Sequence, residues 1–533
     1  MLLSALAESA VVANRRPTVR FSTFPNRLQG QFAIEGEKDS SSNEKGYDYG
    51  MKKRILKIAR CKRGGALQAQ GESQTDTDQG VQTFSRTMFA LVLPIALQNL
   101  LSAVGSSVTV IMLGSVSQTD LSAVSLANQI LFILNLFFAG LTIGATMLVA
   151  QYWGKGDTKA IEKLYGITLR FSLGIAVLFC GAACLCPQLL MLLFTSDRAL
   201  IVTGASYLRI VGPSYLLMSI SLIYLCFIRS MERVRMSTLI TSIGQALTIG
   251  LSVFLLFGLF GGPKLGVVGV ALATTIAQAL QLIWCFLDAR RRVSGVQLSL
   301  RTLFTRSPLL LQDYLRYAWP VLGNECVWGG AIAMYTVILG HLGADVVAAN
   351  ALASVVFDLA TVVSLGLAGG GAILIGKEIG EKRLEQARRD AGRLCKQALL
   401  CGIVGGILIL LTRPLLLHIV PLTGTASGYL SLMLAINAYY VIGKSINATV
   451  IVGVFCAGGD SRFGLINDAL VMWGFSVPLG LLCAFVFRTP AMVVYFVLCL
   501  DEFVKLPFIY RHYRRFTWLK NITRDFSAEG GVQ

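Results

Sequence analysis

The hydrophobic body of this 533-residue chain is written twice. Adding 226 to positions between Pro94 and Gly154 carries Pro94 onto Pro320, Gly114 onto Gly340, Ala123 onto Ala349 and Ala127 onto Ala353. Gly140, Gly144 and Gly154 land on Gly366, Gly370 and Gly380, and no gap is needed over about sixty residues. A gapless repeat in an apolar chain predicts two related bundles, with the natural place for a site at their interface.

The repeat is set in membrane-like composition. Only 14% of residues are charged and the mean hydropathy is +0.65, whereas soluble domains carry about 25% charged residues. Spanning a bilayer takes roughly 20 mostly apolar residues. Twelve windows qualify: 88–113, 121–152, 163–186, 199–228, 236–260, 265–288, 314–340, 345–376, 393–417, 426–456, 463–487 and 490–510. The runs lack two-residue alternation, which excludes a β-barrel. The expected fold is an all-α polytopic membrane protein of twelve transmembrane helices in two six-helix lobes. Six spans per lobe give both lobes one orientation, so the internal repeat is parallel.

The predicted organisation is a disordered tail over 1–85, an N-lobe over 86–292 and a polar, basic linker over 293–311. A C-lobe over 312–518 and a C-terminal tail over 519–533 complete it. Met51 opens a basic stretch and offers an alternative translation start for the tail. The net charge of +18 is distributed as topology and not as a nucleic-acid surface. Loops on the side of the termini hold most of the Lys and Arg; the opposite loops hold Arg198, Lys264, Arg413 and Arg488. This asymmetry predicts cytoplasmic termini in a plasma or inner membrane, with anionic lipid contact at the basic loops. Most of the twelve cysteines lie within spans, without the polar partners that a metal or redox site needs. The stretch Gly371–Glu378 imitates a phosphate-binding loop but lacks the Ser or Thr for Mg²⁺ and ends a span. No nucleotide, metal or other cofactor is expected, and energy then comes from an ion gradient or from a partner.

Ionisable groups at membrane depth cost roughly 2.5–3.5 kcal/mol each on insertion scales, so each needs a reason. Most fall in the second lobe: Glu325, Asp358, Lys444, Asp468, Asp501, Glu502 and Lys505. Glu325 follows Pro320 in span seven, where proline frees backbone polar groups. Glu325, Trp328 and Tyr335 share one helix face, a setting suited to a proton, Na⁺ or a lipophilic cation. Span ten carries Asn437, Tyr440, Lys444 and Asn447 on one stripe, directed at a cavity or at neighbouring helices. Lys444 needs an acid partner, and Glu325 and Asp468 both qualify. Asp501 and Lys505 are four apart and neutralise each other. In the first lobe Gln98, Asn99, Asn128 and Gln129 are the polar cavity candidates.

Several stretches together resemble the MATE multidrug and toxin extrusion transporters, in the branch common in Gram-positive bacteria. They are Leu126–Gln129, Ala150–Lys155, Pro320–Glu325 (including Asn324), Gly458–Asp460 and Asp501–Lys505. The resemblance covers about residues 86–524. It implies a two-lobed exporter that swaps Na⁺ or H⁺ for organic, often cationic amphiphilic compounds. It also implies that a glutamate at the place of Glu325 serves cation coupling; Lys444 and Asp468 join Glu325 as cation-coupling candidates on their own account, as ionisable groups at membrane depth. Two departures are visible: Thr109 stands where many relatives carry an aspartate, and Cys456 where they often carry an arginine before Gly-Gly-Asp. The chain is expected to act as a monomer without enzymatic activity. The runner-up is a flippase for a lipid-linked sugar, ranked lower because Lys444 is the one clear mid-span cation where pyrophosphate would want several.

Overall fold

The computed structural model describes residues 84–109, 112–115, 117–258, 264–290, 295–298, 302–303, 305, 307–419 and 424–525. The expectations for the N-terminal tail and for Met51 fall outside these residues. The account below concerns the compact unit Met88–Gln533.

The N-lobe holds α1 (84–109, continuing at 112–115), α2 (Gln118–Lys155), α3 (Thr158–Leu185), α4 (Arg198–Ser230), α5 (Val234–Phe257) and α6 (Gly266–Ala289). The C-lobe holds α7 (Pro308–Gly340), α8 (Ala344–Gly380), α9 (Leu384–Ile419), α10 (Gly424–Phe455) and α11 (Ser461–Val486). Among the described residues, eleven helices are long and apolar enough to span a membrane. The twelfth window, expected as one span over 490–510, is instead two helices, Ala491–Leu498 and Asp501–Arg514, together called α12. The break at Cys499 and Leu500 puts Asp501 and Glu502 in the first turn of a new helix. Free amides and the helix dipole favour carboxylates there.

The repeat becomes a physical symmetry at the lobe boundary. A Cβ on Gly154 would collide with the Lys377 carbonyl, and one on Gly380 with the Gln151 carbonyl. Residue 377 is 151 plus 226 and residue 380 is 154 plus 226, so the two contacts are one contact seen from each lobe. A Cβ on Gly140 would lie 2.6 Å from Leu322 Cα, and one on Gly366 would lie 3.1 Å from Ala96, the counterpart of Leu322. Gly144 seats Ala318 while Gly370 seats Val92, again counterparts. Gly376 packs on Ala150, its own counterpart, so the pseudo-twofold axis passes between them. The spaced glycines expected to mark close helix contact are therefore the seats on which α2 and α8 carry each other and the opposite lobe's α7 and α1.

That exchange interlocks the lobes. Leu310, Tyr314 and Ala318 of α7 are buried in one core with Leu141, Ala145 and Leu148 of α2, and the Tyr314 hydroxyl donates to the Leu141 carbonyl at 3.2 Å. The linker is stitched to α3 rather than lying loose. Glu162 accepts from the Gln297 amide at 2.6 Å, Arg170 donates to the Thr305 carbonyl at 3.1 Å, and Val296 and Leu298 are buried.

The glycine seats make a graded prediction. Gly154→Ala and Gly380→Ala should each destabilise the purified protein by about 1–3 kcal/mol through overpacking against fixed backbone. Gly174→Ala has nothing within 4 Å of the new methyl and should gain about 0.5–1 kcal/mol from helix propensity. Thermal unfolding in one detergent, followed by monodispersity, ranks the three.

Candidate functional site

The buried charge gathers where α7, α8, α10, α11 and α12 meet. Lys505 is 2% exposed and sits among Asp468 at 3.1 Å, Asp501 at 3.5 Å and Glu502 at 3.8 Å. Glu502 also receives Lys444 at 3.3 Å. The Asn447 amide donates to the Glu502 carboxylate at 2.7 Å and to its backbone carbonyl at 2.6 Å. Three acids thus share two lysines in surroundings where an unpaired charge is costly. Two residues after Asn447 and immediately after Asp468 the helices widen into π-helical stretches, Thr449–Phe455 and Ala469–Ser476. Such widening is frequent at functional sites.

One expectation is corrected here. Lys444 pairs with neither Glu325 nor Asp468. The first turn of the second α12 helix brings Glu502 to it, and Asp468 belongs to Lys505. The expected Asp501–Lys505 pair is present at 3.5 Å, and the same ammonium also serves Asp468 and Glu502, so one lysine answers three carboxylates on two helices.

The Lys444 ammonium also lies 4.9 Å from the centre of the Trp328 ring, within reach of a cation–π attraction. Glu325, one turn before Trp328, is half-buried and has no hydrogen bond or ion pair among the described residues. The charges facing it are Lys444 and Asp468. It opens on a small cavity lined also by Ile143 of α2, Asn324 of α7, Cys456, Ser461 and Gly464. The Asn324 side-chain oxygen is buried there without a partner. Residues of both lobes therefore meet around one unclaimed carboxylate.

The remaining candidates divide. Asn437 is 3% exposed, accepts from the Tyr495 hydroxyl at 2.8 Å and donates to the Ala353 carbonyl at 3.4 Å. Asn437 and the buried Asn447 each bond a neighbouring helix, Asn447 through its NH₂ alone, while its side-chain oxygen is buried without a partner, and neither is among the residues lining the cavity at Glu325. Tyr440 stacks on Phe357 at 5.2 Å. Tyr335 faces Asp501, Lys505 and Glu502, on the same face of α7 as Trp328. Gln98 and Asn99 are half-buried on α1, while Asn128 and Gln129 are exposed on α2, away from Glu325's cavity lining. Thr109 bonds its own helix at the Gly105 carbonyl, 3.0 Å away.

Three polar pairings had no local sequence signal. His512 reaches Asp460 at 2.7 Å and stacks on Phe463 with centroids 4.0 Å apart. Asp460 is the acid of the Gly-Gly-Asp turn, so its side chain has a partner from α12 although Cys456 stands where an arginine was expected. Buried Asp288 at the end of α6 accepts from Tyr224 at 2.6 Å and from Arg233 at 3.3 Å. Arg524 forks onto Asp313. Each links segments more than fifty residues apart, beyond the reach of periodicity.

The sequence matches the MatE family over residues 94–254 and 321–482, two segments offset by about one repeat. It is 25% identical over 444 residues to the "Uncharacterized transporter YisQ" of Bacillus subtilis, covering 82% of this chain and 96% of that protein. It is also 25% identical over 455 residues to the "Probable multidrug resistance protein YoeA" of the same organism, covering 82% and 95%. Among solved structures, a MOP superfamily transporter from Pyrococcus furiosus aligns with TM-score 0.75 at 18% identity, over 82% of this chain and 96% of that one. A structure described as the outward-facing conformation of a multidrug resistance MATE family transporter aligns with TM-score 0.74 at 18% identity, over 81% and 96%. The family match spans more than half of the chain and falls on both halves of the repeat: the chain belongs to the MatE family of multidrug and toxin extrusion transporters.

Proposed function

We propose that this protein is a cation-coupled exporter that exchanges Na⁺ or H⁺ for organic cations of amphiphilic character. The observation that carries this reading is the Glu325 carboxylate, which has no hydrogen bond or ion pair among the described residues and opens on a cavity shared by α2 of one lobe and α7 of the other. A carboxylate left unpaired at membrane depth is costly unless a cation or proton occupies it for part of the cycle. Trp328 supplies an aromatic face one turn away, and Lys444 already shows that a cation rests there. Neutralising Glu325 and lodging an organic cation against the same wall are competing events, and that competition is the basis of exchange. The charged cluster below it holds Lys444 in position through Glu502 and Asn447.

In this reading the basic loops are cytoplasmic, the protein lies in the plasma or inner membrane, and one copy suffices. The test is movement of a fluorescent cationic dye in proteoliposomes under an imposed pH gradient and, separately, an imposed Na⁺ gradient. Gradient-driven dye movement with one ion establishes exchange and names that ion. Absence of movement with both, in folded protein, overturns the proposal.

A further inference from the structure

The basic end of the bundle is closed by a pair of clasps that arise from one position of the repeat. Gln151 of α2 is fully buried and its amide is saturated across the lobe boundary. It donates to the Ala457 carbonyl at 2.7 Å and to the Lys520 carbonyl at 3.1 Å, and it accepts from the Ile522 amide at 2.8 Å. Its counterpart Lys377 on α8 reaches the other way. The Lys377 ammonium meets both oxygens of Glu232 in the N-lobe, at 2.7 and 2.9 Å. Trp153 donates to the same carboxylate at 3.2 Å. Glu232 holds a left-handed backbone, φ +65°, in the turn between α4 and α5, a conformation that non-glycine residues adopt at a cost.

The first clasp includes the segment after α12, which the sequence presented as a C-terminal tail. Trp518 is fully buried, and its carbonyl leaves no room for a Cβ on Gly458, so the segment is rooted in the C-lobe. Beyond Trp518 the chain crosses to the N-lobe. The Arg524 amide donates to the Tyr152 hydroxyl at 3.1 Å, and the Arg524 carbonyl accepts from Lys155 at 2.6 Å. Lys155 also pairs with Asp525. The Arg524 guanidinium forks onto Asp313 at 2.5 and 2.7 Å, on the turns of α7 that are buried in the N-lobe core. Asn521 donates back to the Ile379 carbonyl of the C-lobe at 3.1 Å.

We infer that residues 520–525 are a latch on the transport cycle, fixed through Arg524 to Asp313 of α7 and holding the basic end shut until Gln151, Tyr152 and Lys155 of the N-lobe let go. The inference rests on the exchange reading in one respect: a cavity must open at this end. A segment rooted in one lobe and bonded to the other cannot keep both sets of contacts while the lobes part. Gln151, Lys377, Glu232 and Arg524 are then positioning residues. They touch no substrate but set the fraction of molecules open to the basic side, and apparent affinity from that side scales with this fraction.

The test is hydrogen exchange of full-length protein in nanodiscs, comparing the native chain with Arg524→Ala and Asp313→Asn. Each variant breaks one partly exposed forked pair. Exchange should rise roughly three- to tenfold over residues 520–525 and also over 150–156 and 376–382, where the lobes touch. Half-saturating dye on the basic side should fall by a similar factor. Faster exchange confined to 520–525, with 150–156 and 376–382 unchanged, overturns the latch. Asp313→Asn preserves size and keeps the question answerable if Arg524→Ala does not accumulate. Because exchange is read without transport, absent dye flux with the expected exchange pattern counts against the exporter reading and not against the latch.

Discussion

Glu325→Gln is expected to reduce gradient-driven dye export roughly 100-fold, to the level of protein-free vesicles, a loss equivalent to about 2.7 kcal/mol. The same variant should be as heat-stable as the native protein. The two halves of this prediction follow from one observation: the carboxylate has no partner among the described residues, so its neutralisation breaks no ion pair. What it removes is the group that binds a cation in one state of the cycle and releases it in the other. A ligand moves a two-state protein only through its difference in affinity for the two states, and complete switching takes about 5.5 kcal/mol of such difference. Glutamine preserves shape and abolishes that difference. Full gradient-driven export by Glu325→Gln would remove Glu325 from coupling and pass the role to Asp468 or Asp358.

Lys505→Met should do the opposite, acting on stability before function. Lys505 is the common partner of Asp468, Asp501 and Glu502. Without it, three carboxylates in the interior face Lys444 alone. Removing one member of a buried ionic set costs about 3–5 kcal/mol, a large share of the 5–15 kcal/mol that holds a typical domain together. The expected result is a sharp fall in the fraction surviving size-exclusion chromatography after mild heating. Adding Asp501→Asn and Asp468→Asn to Lys505→Met should restore much of the loss, because the uncompensated charge is then gone. A single variant as stable as the native chain would mean that these acids are already neutral, and the network would need redrawing as hydrogen bonds.

The contrast between these residues shows how far local sequence reaches. Glu325 was legible because Pro320, Trp328 and Tyr335 share its helix, and helical periodicity relates residues three, four and seven apart. Lys444 was legible as a charge in need of an acid, but its partner was not. Which of three acids lies closest depends on how α7, α11 and α12 are rotated and offset along their axes. Glu502 wins because the chain breaks at Cys499 and Leu500 and restarts with its carboxylates in a first helical turn. The stripe of Asn437 and Asn447 left cavity and helix contact open for the same reason: whether a stripe faces water or another helix is decided by the neighbour, and here each side chain bonds an adjacent helix.

The sequence by itself determined the two-lobed, parallel architecture, because an unbroken repeat with the same glycine spacing in both halves lets α2 and α8 cross in the same way from either side. It also determined which spans carry charge. The tertiary structure alone decided that the axis runs between Ala150 and Gly376, that α7 enters the N-lobe core, and that the chain's last described residues bind Gln151 and Asp313. These are contacts between residues tens to hundreds of positions apart. Periodicity says which face of a helix is polar or small, but the partner of that face is chosen by close packing of all twelve segments at once.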